Sequence, residues 1–319
     1  PPAADRQEMY DLIHAMVSKW HKKGGMTNVV LAPVAPQRVT DQFFMDMYGL
    51  AEKYDLPVHT HVLETKMQRV TGQEFYKTTL IQHMKDIGVL GDRTTIVHCV
   101  WVDDHDIELI ANAGASVAHN PASNTKLGSG ILPYAKLHEA GVNLALGTDG
   151  MSSNDSQSIF EAMKITALLH KVTMPDYKRW PNAKDVFKAA TVGGAKSTRR
   201  IDHTGSIEEG KKADLVFYDL NSIAFTPTND LLNHLVYCEN GEDIVRVMVN
   251  GKTVVKDGKI LTVDEKAILN ELRAELPGFY EKYKVAKEWA DKMFPYVQQV
   301  YEKSYTQSTS LNRLSGNDA

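Results

Sequence analysis

Three short apolar runs constrain this chain most, because each has the pattern of a buried β-strand and each ends in a chemically active side chain. The runs cover residues 61–64, 94–98 and 144–150, and they bring histidine, glutamate and aspartate to strand ends. Side chains that follow parallel strands gather at one edge of the sheet, where barrel enzymes keep their catalytic groups. The pattern therefore predicts strands whose tips converge on one site.

Composition bounds the class of protein. With 319 residues, 43% of them hydrophobic, the chain can bury one large core and a smaller one. Its net charge is −4 and no block of basic residues occurs, which argues against nucleic acid as a partner. No apolar run approaches about 20 residues, so we expect no membrane span, and no signal sequence opens the chain. The two cysteines suit a reducing compartment, and we expect a cytoplasmic protein.

The first two thirds of the chain alternate between the patterns of strands and helices. Apolar strands are predicted at 28–32, 57–62, 95–101, 115–118 and 142–147. Helices are predicted near 41–54, 74–88, 104–113, 131–140, 156–171 and 183–197. Such alternation indicates an α/β fold with a parallel sheet. Five strand units are fewer than the eight of a (β/α)8-type barrel, so residues 1–203 are predicted to form a partial barrel domain.

Two further regions follow the predicted barrel. Residues 204–261 have the pattern of a small β module, in which Asn250-Gly251 is typical of a type I′ hairpin turn. Residues 262–319 begin with a capping box from Thr262 to Glu265, which predicts a helix that ends at Pro277. A second amphipathic stretch covers 279–301, and the polar tail from Ser304 is expected to be disordered.

Four residues are the first candidates for chemistry. His61 is a candidate metal ligand, and Glu64, just past the same strand, is a candidate proton shuttle beside a metal. His98 ends the next apolar run, and Asp149 lies between glycines after a third. Each has a structural alternative: a histidine can be hydrogen-bonded within the core, and Asp149 can cap the segment at 151–154.

Five strings resemble the amidohydrolase superfamily. They match the branch of aminohydrolases that includes guanine, oxoguanine, pterin and S-adenosylhomocysteine deaminases and triazine hydrolases. The strings are His-Val-Leu-Glu-Thr at 61–65, Val-His at 97–98, His-Asn-Pro-Ala-Ser-Asn-Thr-Lys-Leu-Gly at 119–128, Gly-Thr-Asp-Gly at 147–150 and the run at 205–216. They occur in the family's order and spacing, and Val-Asn-Gly at 249–251 continues the match, which covers about 27–275.

The resemblance implies a metal-dependent (β/α)8-type barrel, of which strands 4 to 8 are visible, with a small β-sandwich module and a C-terminal helical region. It implies one divalent metal, most often zinc and sometimes iron, with His61 and Asp149 as ligands. Asp149 would also accept a proton from the metal-bound water, whose hydroxide attacks the substrate. Glu64 would carry a proton to the substrate ring, and His98 would polarise the water or the developing oxyanion.

One family feature is missing from this sequence. Family members carry a His-x-His pair on the first barrel strand, and this sequence has none at such a place. His59-Thr60-His61 has the spacing but belongs to the fifth family strand, so we interpret His59 as a supporting or packing residue. The chain opens Pro-Pro-Ala-Ala, and from the resemblance we expect the upstream βα units and half of the sandwich to be absent.

The loops suggest a substrate class. Gln37 and Arg38 follow the fourth family strand, where Gln37 can read an amide edge and Arg38 can grip a ring carbonyl or carboxylate. Trp101 can stack on a flat heterocycle, and Asn124 is a further candidate from the matching string. Alternatively, Arg38 pairs with Asp41, and Trp101 belongs to the core or the rim.

The predicted function is deamination of an aminated N-heterocycle, such as an oxopurine, a pterin or a triazine-like ring. Adenosine-type members often have His-Ser-Pro-Tyr where this chain has Val-Ala-Pro-Gln-Arg at 34–38, which argues against S-adenosylhomocysteine. The alternatives are a triazine dechlorinase or N-dealkylase, and a truncated, non-catalytic fragment. A small heterocycle is the expected partner, and the family implies a possible homo-oligomer.

Overall fold

The computed structural model describes residues 6–22 and 26–314, which contain two separate sheets. The first sheet is parallel and its four strands are hydrogen-bonded in chain order. Its strands are β1 (Val58–Val62), β2 (Thr94–His98), β3 (Ser116–His119) and β4 (Asn143–Leu146). The predicted α/β class is therefore confirmed, while the closed barrel stays a prediction.

The sheet register brings the strand ends together. Val62 pairs with His98, and His119 pairs with Leu146, so neighbouring strands end at nearly the same level. Along β1 the buried residues alternate with half-buried ones, which places His59 and His61 on one face of the strand. The carboxyl ends of the strands consequently form one continuous edge.

The predicted strand at 28–32 is wrong. Only an isolated bridge joins Leu31 to Val58, although the segment runs beside β1 and its Leu31 carbonyl accepts a hydrogen bond from His59 N at 2.9 Å. Pro33 has no N–H group to donate to the neighbouring strand, so the ladder stops where it would otherwise continue. The ladder contacts resume at Val34, whose carbonyl accepts from His61 N at 3.2 Å.

Helices are distributed along this part of the chain, and several of them bury residues in the main core or in a second, smaller cluster. They are α1 (Arg6–Trp20), α2 (Asp41–Tyr54), α3 (Lys66–Thr71), α4 (Leu80–Asp86), α5 (Asp104–Asn112), α6 (Pro121–Lys126), α7 (Tyr134–Glu139), α8 (Met151–Asn154), α9 (Ile159–Leu169), α10 (Ala183–Lys188) and α11 (Gly194–Ser197). The sequence predicts α2 with the same bounds, and the Thr40 hydroxyl caps it by accepting from Phe43 N. Phe44, Leu80, Ile96 and Ile110 belong to the shared core.

One predicted helix is divided in the structure. The segment at 183–197 forms α10 and α11, with a π-helical turn over Ala189–Gly193 between them. The turn brings the backbone of Gly193 against β4, where a Cβ atom would lie only 2.0 Å from the Leu144 carbonyl oxygen. A glycine is required for this close approach.

The second sheet is antiparallel and follows the first along the chain. Its strands are β5 (Leu215–Tyr218), β6 (Ile244–Val249), β7 (Lys252–Lys256) and β8 (Lys259–Ile260), and α12 (Leu231–Tyr237) lies in the β5–β6 connection. Asn250 and Gly251 have φ values of 49° and 79°, as a type I′ turn requires. The predicted hairpin is confirmed. A sandwich of two sheets stays a prediction, as do the bounds of the three domains.

A single helix, α13 (Glu265–Thr306), contains 42 residues and replaces the two predicted C-terminal stretches. The predicted end at Pro277 is wrong because a proline interrupts the hydrogen bonding locally while the flanking turns continue. Its N-cap is Asp264, whose side chain accepts from Ala267 N, rather than Thr262. In the described ranges no helix combines the length and the apolar character needed to cross a bilayer.

The described part of the tail after α13, residues 307–314, forms hydrogen bonds with the body, which differs from the predicted disorder, and residues 315–319 lie outside the described part. The Arg313 guanidinium donates hydrogen bonds to the carbonyls of Val100, at 3.0 Å, and Val102. The Arg313 carbonyl in turn accepts from Ile131 N at 2.7 Å, and Leu311 packs against the core. These backbone groups give the polar tail partners that its composition alone does not reveal.

Candidate active site

A cavity of about 310 Å³ opens at the carboxyl ends of β1, β2 and β4. Its lining consists of Val34, Ala35, Arg38, His61, Glu64, Gln68, His98, Leu127, Asp149 and Ser153. Five of the eight residues that the sequence singles out are in this lining. The ends of these strands therefore meet at one cavity, as the sequence pattern predicts.

His61 reaches the cavity from β1 with a fixed ring orientation. Its Nδ1 lies 2.6 Å from the carbonyl oxygen of Val34. A carbonyl oxygen only accepts hydrogen bonds, so Nδ1 carries the proton and donates it. Nε2 is then the ring nitrogen with a free lone pair, and it is available to a metal.

His98 ends β2 and is held in the same way by a side chain. Its Nδ1 donates to Oδ1 of Asn124 at 2.8 Å, and both side chains are buried. The His98 and His61 rings stack with their centroids 5.6 Å apart. On its open side, His98 Nε2 lies 3.8 Å from a carboxylate oxygen of Glu64. Both imidazoles thus use Nδ1 for support and keep Nε2 for other contacts.

Asp149 follows β4 and lies among hydrogen-bond donors. Ser123 Oγ donates to one carboxylate oxygen at 2.5 Å, and Gly150 N donates to the other at 2.7 Å. Partial burial by itself raises the pKa of Asp149, but hydrogen bonds from Ser123, Gly150 N and Ser153 outweigh it. The pKa is lowered as a result, and the side chain is a carboxylate at neutral pH.

Backbone strain accumulates at these strand tips. Leu63, His98, Cys99 and Asp149 all have positive φ values, between 53° and 73°. Such values are uncommon for residues other than glycine and cost on the order of 1–3 kcal/mol each. The surrounding structure must maintain them, which is typical of functional sites. The strain turns the chain sharply after each strand and directs the site side chains into the cavity.

Comparison with known proteins identifies the family. A model described as "Amidohydrolase family" matches residues 3–254 of this chain. The chain belongs to the amidohydrolase family. The resemblance in the five sequence strings is thus confirmed for this amidohydrolase chain.

Its relatives include named deaminases. It is 35% identical over 280 residues to a 5'-deoxyadenosine deaminase of Methanosarcina barkeri, across 82% of this chain and 64% of that protein. It is 36% identical over 258 residues to a 5-methylthioadenosine/S-adenosylhomocysteine deaminase of Caldanaerobacter subterraneus, across 81% and 59%. Among solved structures, an adenosine deaminase from Xanthomonas campestris with bound zinc matches with a TM-score of 0.81 at 32% identity, across 85% of this chain and 62% of that one. The chain spans about three fifths of the length of these proteins.

Three predicted site residues do not line the cavity. Trp101 is 2% exposed, and its indole N–H donates to the Ser129 carbonyl at 2.7 Å, so it belongs to the core. Asn124 is buried and holds His98, and Gln37 has a buried carboxamide oxygen outside the lining. The sequence prediction assigned all three to the substrate, with a core or rim position as the alternative for Trp101. The structure favours that alternative for Trp101 and gives Asn124 a partner within the protein.

Arg38 lines the cavity as predicted, and its suggested alternative partner is engaged elsewhere. Asp41 accepts a hydrogen bond from His83 Nε2 at 2.9 Å. Ser123, beside Asp149, and Gln68, whose Oε1 accepts from Glu64 N at 2.9 Å, are supporting residues that sequence reasoning missed. Ser123 lies in the third family string, at 119–128, and membership of that string was the sequence signal that could have identified it.

The donors that line the cavity match a divalent metal only in part. Within residues 6–22 and 26–314, no three histidine, cysteine, aspartate or glutamate side chains form a metal-binding group. His61 Nε2 and the Asp149 carboxylate fit two positions of a shell that in catalytic zinc sites usually has three protein ligands. His59 adds none, because its Nε2 lies 3.4 Å from the Ser197 carbonyl. These residues therefore fit a part of a metal shell and do not complete one.

Proposed function

We propose that this chain provides the main catalytic groups of a metal-dependent hydrolytic deaminase. The observation that carries the proposal is the joint lining of one cavity by His61, Glu64, His98 and Asp149, with both imidazoles oriented through Nδ1. A histidine that is only structural has no need of an open Nε2 beside a carboxylate. The relatives that are named deaminases support the same reaction class.

The proposed roles follow from the chemistry of each group. His61 and Asp149 would hold the divalent metal, zinc or iron, as two of its donors. When bound, such a metal acts as a Lewis acid and lowers the pKa of water toward about 7. Asp149 is ionised and accepts the proton that the attacking water loses.

Glu64 and His98 act on the substrate side of the cavity. Glu64 would deliver a proton to the ring nitrogen next to the attacked carbon, which prevents negative charge from accumulating on the ring. His98 Nε2 accepts a hydrogen bond, because Nδ1 already carries the ring proton, and so it would orient the attacking water. Arg38 at the exposed rim would donate to a polar group of the substrate.

For the substrate we propose an adenine nucleoside, whose exocyclic amine is released as ammonia. The names of the relatives support this class over oxopurines and pterins. The absence of His-Ser-Pro-Tyr at 34–38 argued against S-adenosylhomocysteine, so the 5' substituent is best tested directly. The parallel sheet would then form one part of a (β/α)8-type barrel, and the antiparallel sheet one part of a β-sandwich.

The first experiment is elemental analysis of the purified chain, with His61→Ala and Asp149→Ala beside an exposed control, His105→Ala. Close to one zinc or iron per chain in the wild type and the control, lost in both site variants, would support the proposal that His61 and Asp149 hold the ion although they do not complete its shell. Folded protein without metal would contradict the metal role of these residues and favour the non-catalytic alternative.

The second experiment measures ammonia release from a panel of substrates. The panel contains 5'-deoxyadenosine, 5'-methylthioadenosine, S-adenosylhomocysteine, guanine, a pterin and a chlorotriazine. We expect turnover of at least one adenine nucleoside and none in Asp149→Ala. Release of chloride or alkylamine from the triazine, without ammonia from any nucleoside, would instead support the dechlorinase or N-dealkylase alternative.

A further inference from the structure

The short segment 99–102 follows His98 and crosses beside the end of β1. Two of its amide groups donate hydrogen bonds to the Leu63 carbonyl, at 2.9 and 2.8 Å. Leu63 directly precedes Glu64, so the segment is bonded to the loop that carries this carboxylate. A movement of 99–102 would therefore displace His98 and Glu64 together.

The backbone of this region has an unfavourable conformation that needs support. The φ angle is 73° at His98, 54° at Cys99 and 53° at Leu63. Positive values of this size are uncommon for residues other than glycine, and they persist only where surrounding contacts maintain them. The Leu63 carbonyl and the neighbouring Val62 carbonyl, which accepts from Cys99 N at 3.1 Å, hold the amide side of the segment. The carbonyl side of the segment needs a different partner.

Arg313, in the segment after α13, is the partner of the carbonyl side. Its Nε donates to the Val100 carbonyl at 3.0 Å, and its Nη2 donates to the Val102 carbonyl. The guanidinium group is planar, so these two donors have a fixed separation and direction. Hydrogen bonds from a charged donor are also stronger than those from a neutral one. Segment 99–102 is thus bonded to Leu63 on its amide side and to Arg313 on its carbonyl side.

The main chain of Arg313 contacts a second loop beside the site. Its carbonyl oxygen accepts a hydrogen bond from Ile131 N at 2.7 Å. In the same loop, Ser129 N donates to the Asn124 carbonyl at 2.8 Å, and the Asn124 side chain orients His98. One arginine therefore contacts both of the loops on which the orientation of His98 depends.

We propose that Arg313 is a positioning residue of the candidate active site. It holds segment 99–102 in the strained conformation that directs His98 and Glu64 toward the cavity. Arg313 does not belong to the lining of that cavity, so it acts through the backbone and not by contact with the substrate. The role in catalysis rests on the proposed function, whereas the hydrogen bonds themselves can be tested without a substrate.

The first test is hydrogen exchange of individual amides, measured by NMR. In Arg313→Ala the amides of Val100 and Trp101 should exchange at least about tenfold faster than in the wild type. The amides of β3, in the same sheet, should keep their rates. Arg273→Ala is the matched control, because Arg273 is exposed on α13 and bonds to Asn270 of the same helix, and it should change neither region.

Two results of this exchange experiment would overturn the proposal. Unchanged rates at Val100 and Trp101 would mean that Arg313 only anchors its own segment to the body. An equal acceleration in β3 would mean that Arg313 contributes to global stability without a local effect. Circular dichroism verifies that Arg313→Ala and Arg273→Ala are folded.

The second test measures ammonia release by the same variants. Arg313→Ala should lower kcat by about 10–100-fold and leave KM nearly unchanged, because a small misplacement of groups that act on the reacting atoms is costly. Arg313→Lys keeps the charge but not the two fixed donors, so it should restore only a part of kcat. Millimolar guanidinium chloride, far below denaturing concentrations, should raise kcat of Arg313→Ala but not of the wild type. Sodium chloride at the same ionic strength should have no such effect.

The kinetic and exchange results separate this role from the proposed function. A wild-type kcat in Arg313→Ala, together with faster exchange at Val100 and Trp101, would overturn the positioning role. A wild type that releases no ammonia would instead overturn the proposed function, and the exchange rates would still decide whether Arg313 holds segment 99–102.

Discussion

Two histidines at the ends of adjacent strands have opposite environments. His98 at the end of β2 donates through Nδ1 to Asn124 and faces Glu64 and the cavity with Nε2. His119 at the end of β3 is equally buried, but its Nε2 lies 3.1 Å from Nε2 of His170. Its Nδ1 is buried with no hydrogen-bond partner among the described residues. One imidazole is open to chemistry, and the other is enclosed in a pair.

The electrostatics of the enclosed pair agree with this difference. Burial lowers the pKa of His119 well below its ordinary value, with a further contribution from the neighbouring histidines. Burial also lowers the pKa of His170 to about 4. Both rings are therefore neutral near pH 7, and one donates a hydrogen bond to the other. A histidine at a strand end is consequently a site residue only when its neighbours leave one nitrogen accessible.

The largest expected effect concerns Glu64, which faces the accessible Nε2 of His98. Glu64→Gln keeps the size of the side chain but removes the carboxyl group that can take up and release a proton. We expect kcat for deamination to fall by about 10²–10⁴-fold, the usual contribution of general acid–base catalysis. Steady-state measurement of ammonia release provides the value. Glu52→Gln on the exposed surface of α2 is the control, and a Glu64→Gln enzyme with nearly full activity would remove Glu64 from the mechanism.

A smaller effect is expected from the residue that keeps His98 open. Asn124→Ala removes the acceptor of His98 Nδ1–H, and the ring then loses its fixed tautomer. We expect kcat to fall by about 10–100-fold, the usual cost of removing a hydrogen-bond partner that orients a histidine of a metal site. Asn124→Asp retains an acceptor oxygen and should recover most of the loss. Equal losses in the two variants would show that Asn124 acts through something other than this hydrogen bond.

The sequence predicted the parts of the fold in which local pattern and tertiary structure agree. The buried strands β1 to β4, the helix α2 and the Asn250-Gly251 hairpin all have strong local signals. The predicted secondary structure was wrong at places where the effect of a single residue decides whether a strand or helix continues. Pro33 interrupts a strand although its neighbours favour one, and Pro277 fails to end a helix. The second case cannot be decided from propensity, because the flanking turns compensate for a single missing hydrogen bond.

The candidate site was predictable to the same extent. The four residues His61, Glu64, His98 and Asp149 converge because parallel strands end at one edge of the sheet. The alternation of side chains along each strand determines the face on which each one lies. The direction of the chain after a strand was not predictable. Positive φ values at His98 and Cys99 turn the backbone, so that Trp101 packs into the core instead of the cavity. A sequence pattern contains no signal for such strained conformations.

The smallest expected effect concerns the enclosed pair and appears in stability rather than in catalysis. The pKa of His170 is about 4 in the folded protein, below the ordinary histidine value of 6.5. Between these values the unfolded chain binds more protons, so the free energy of unfolding decreases as the pH falls from 6.5. For His170 alone the loss between pH 6.5 and pH 5.0 is about 1.5 kcal/mol. Urea unfolding at the two pH values measures it.

His170→Asn should therefore lose about 1.5 kcal/mol less than the wild type over the same interval, even if it is less stable at pH 7. His105→Gln, on the exposed surface of α5, controls for the removal of one histidine and should keep the loss of the wild type. The contrast between the accessible His98 and the enclosed pair of His119 and His170 depends on this difference in acid-induced loss of stability. An acid-induced loss that is identical in the wild type and His170→Asn would mean that the His170 ring is protonated as easily as one in water, and the pair of His119 and His170 would then not be enclosed as described.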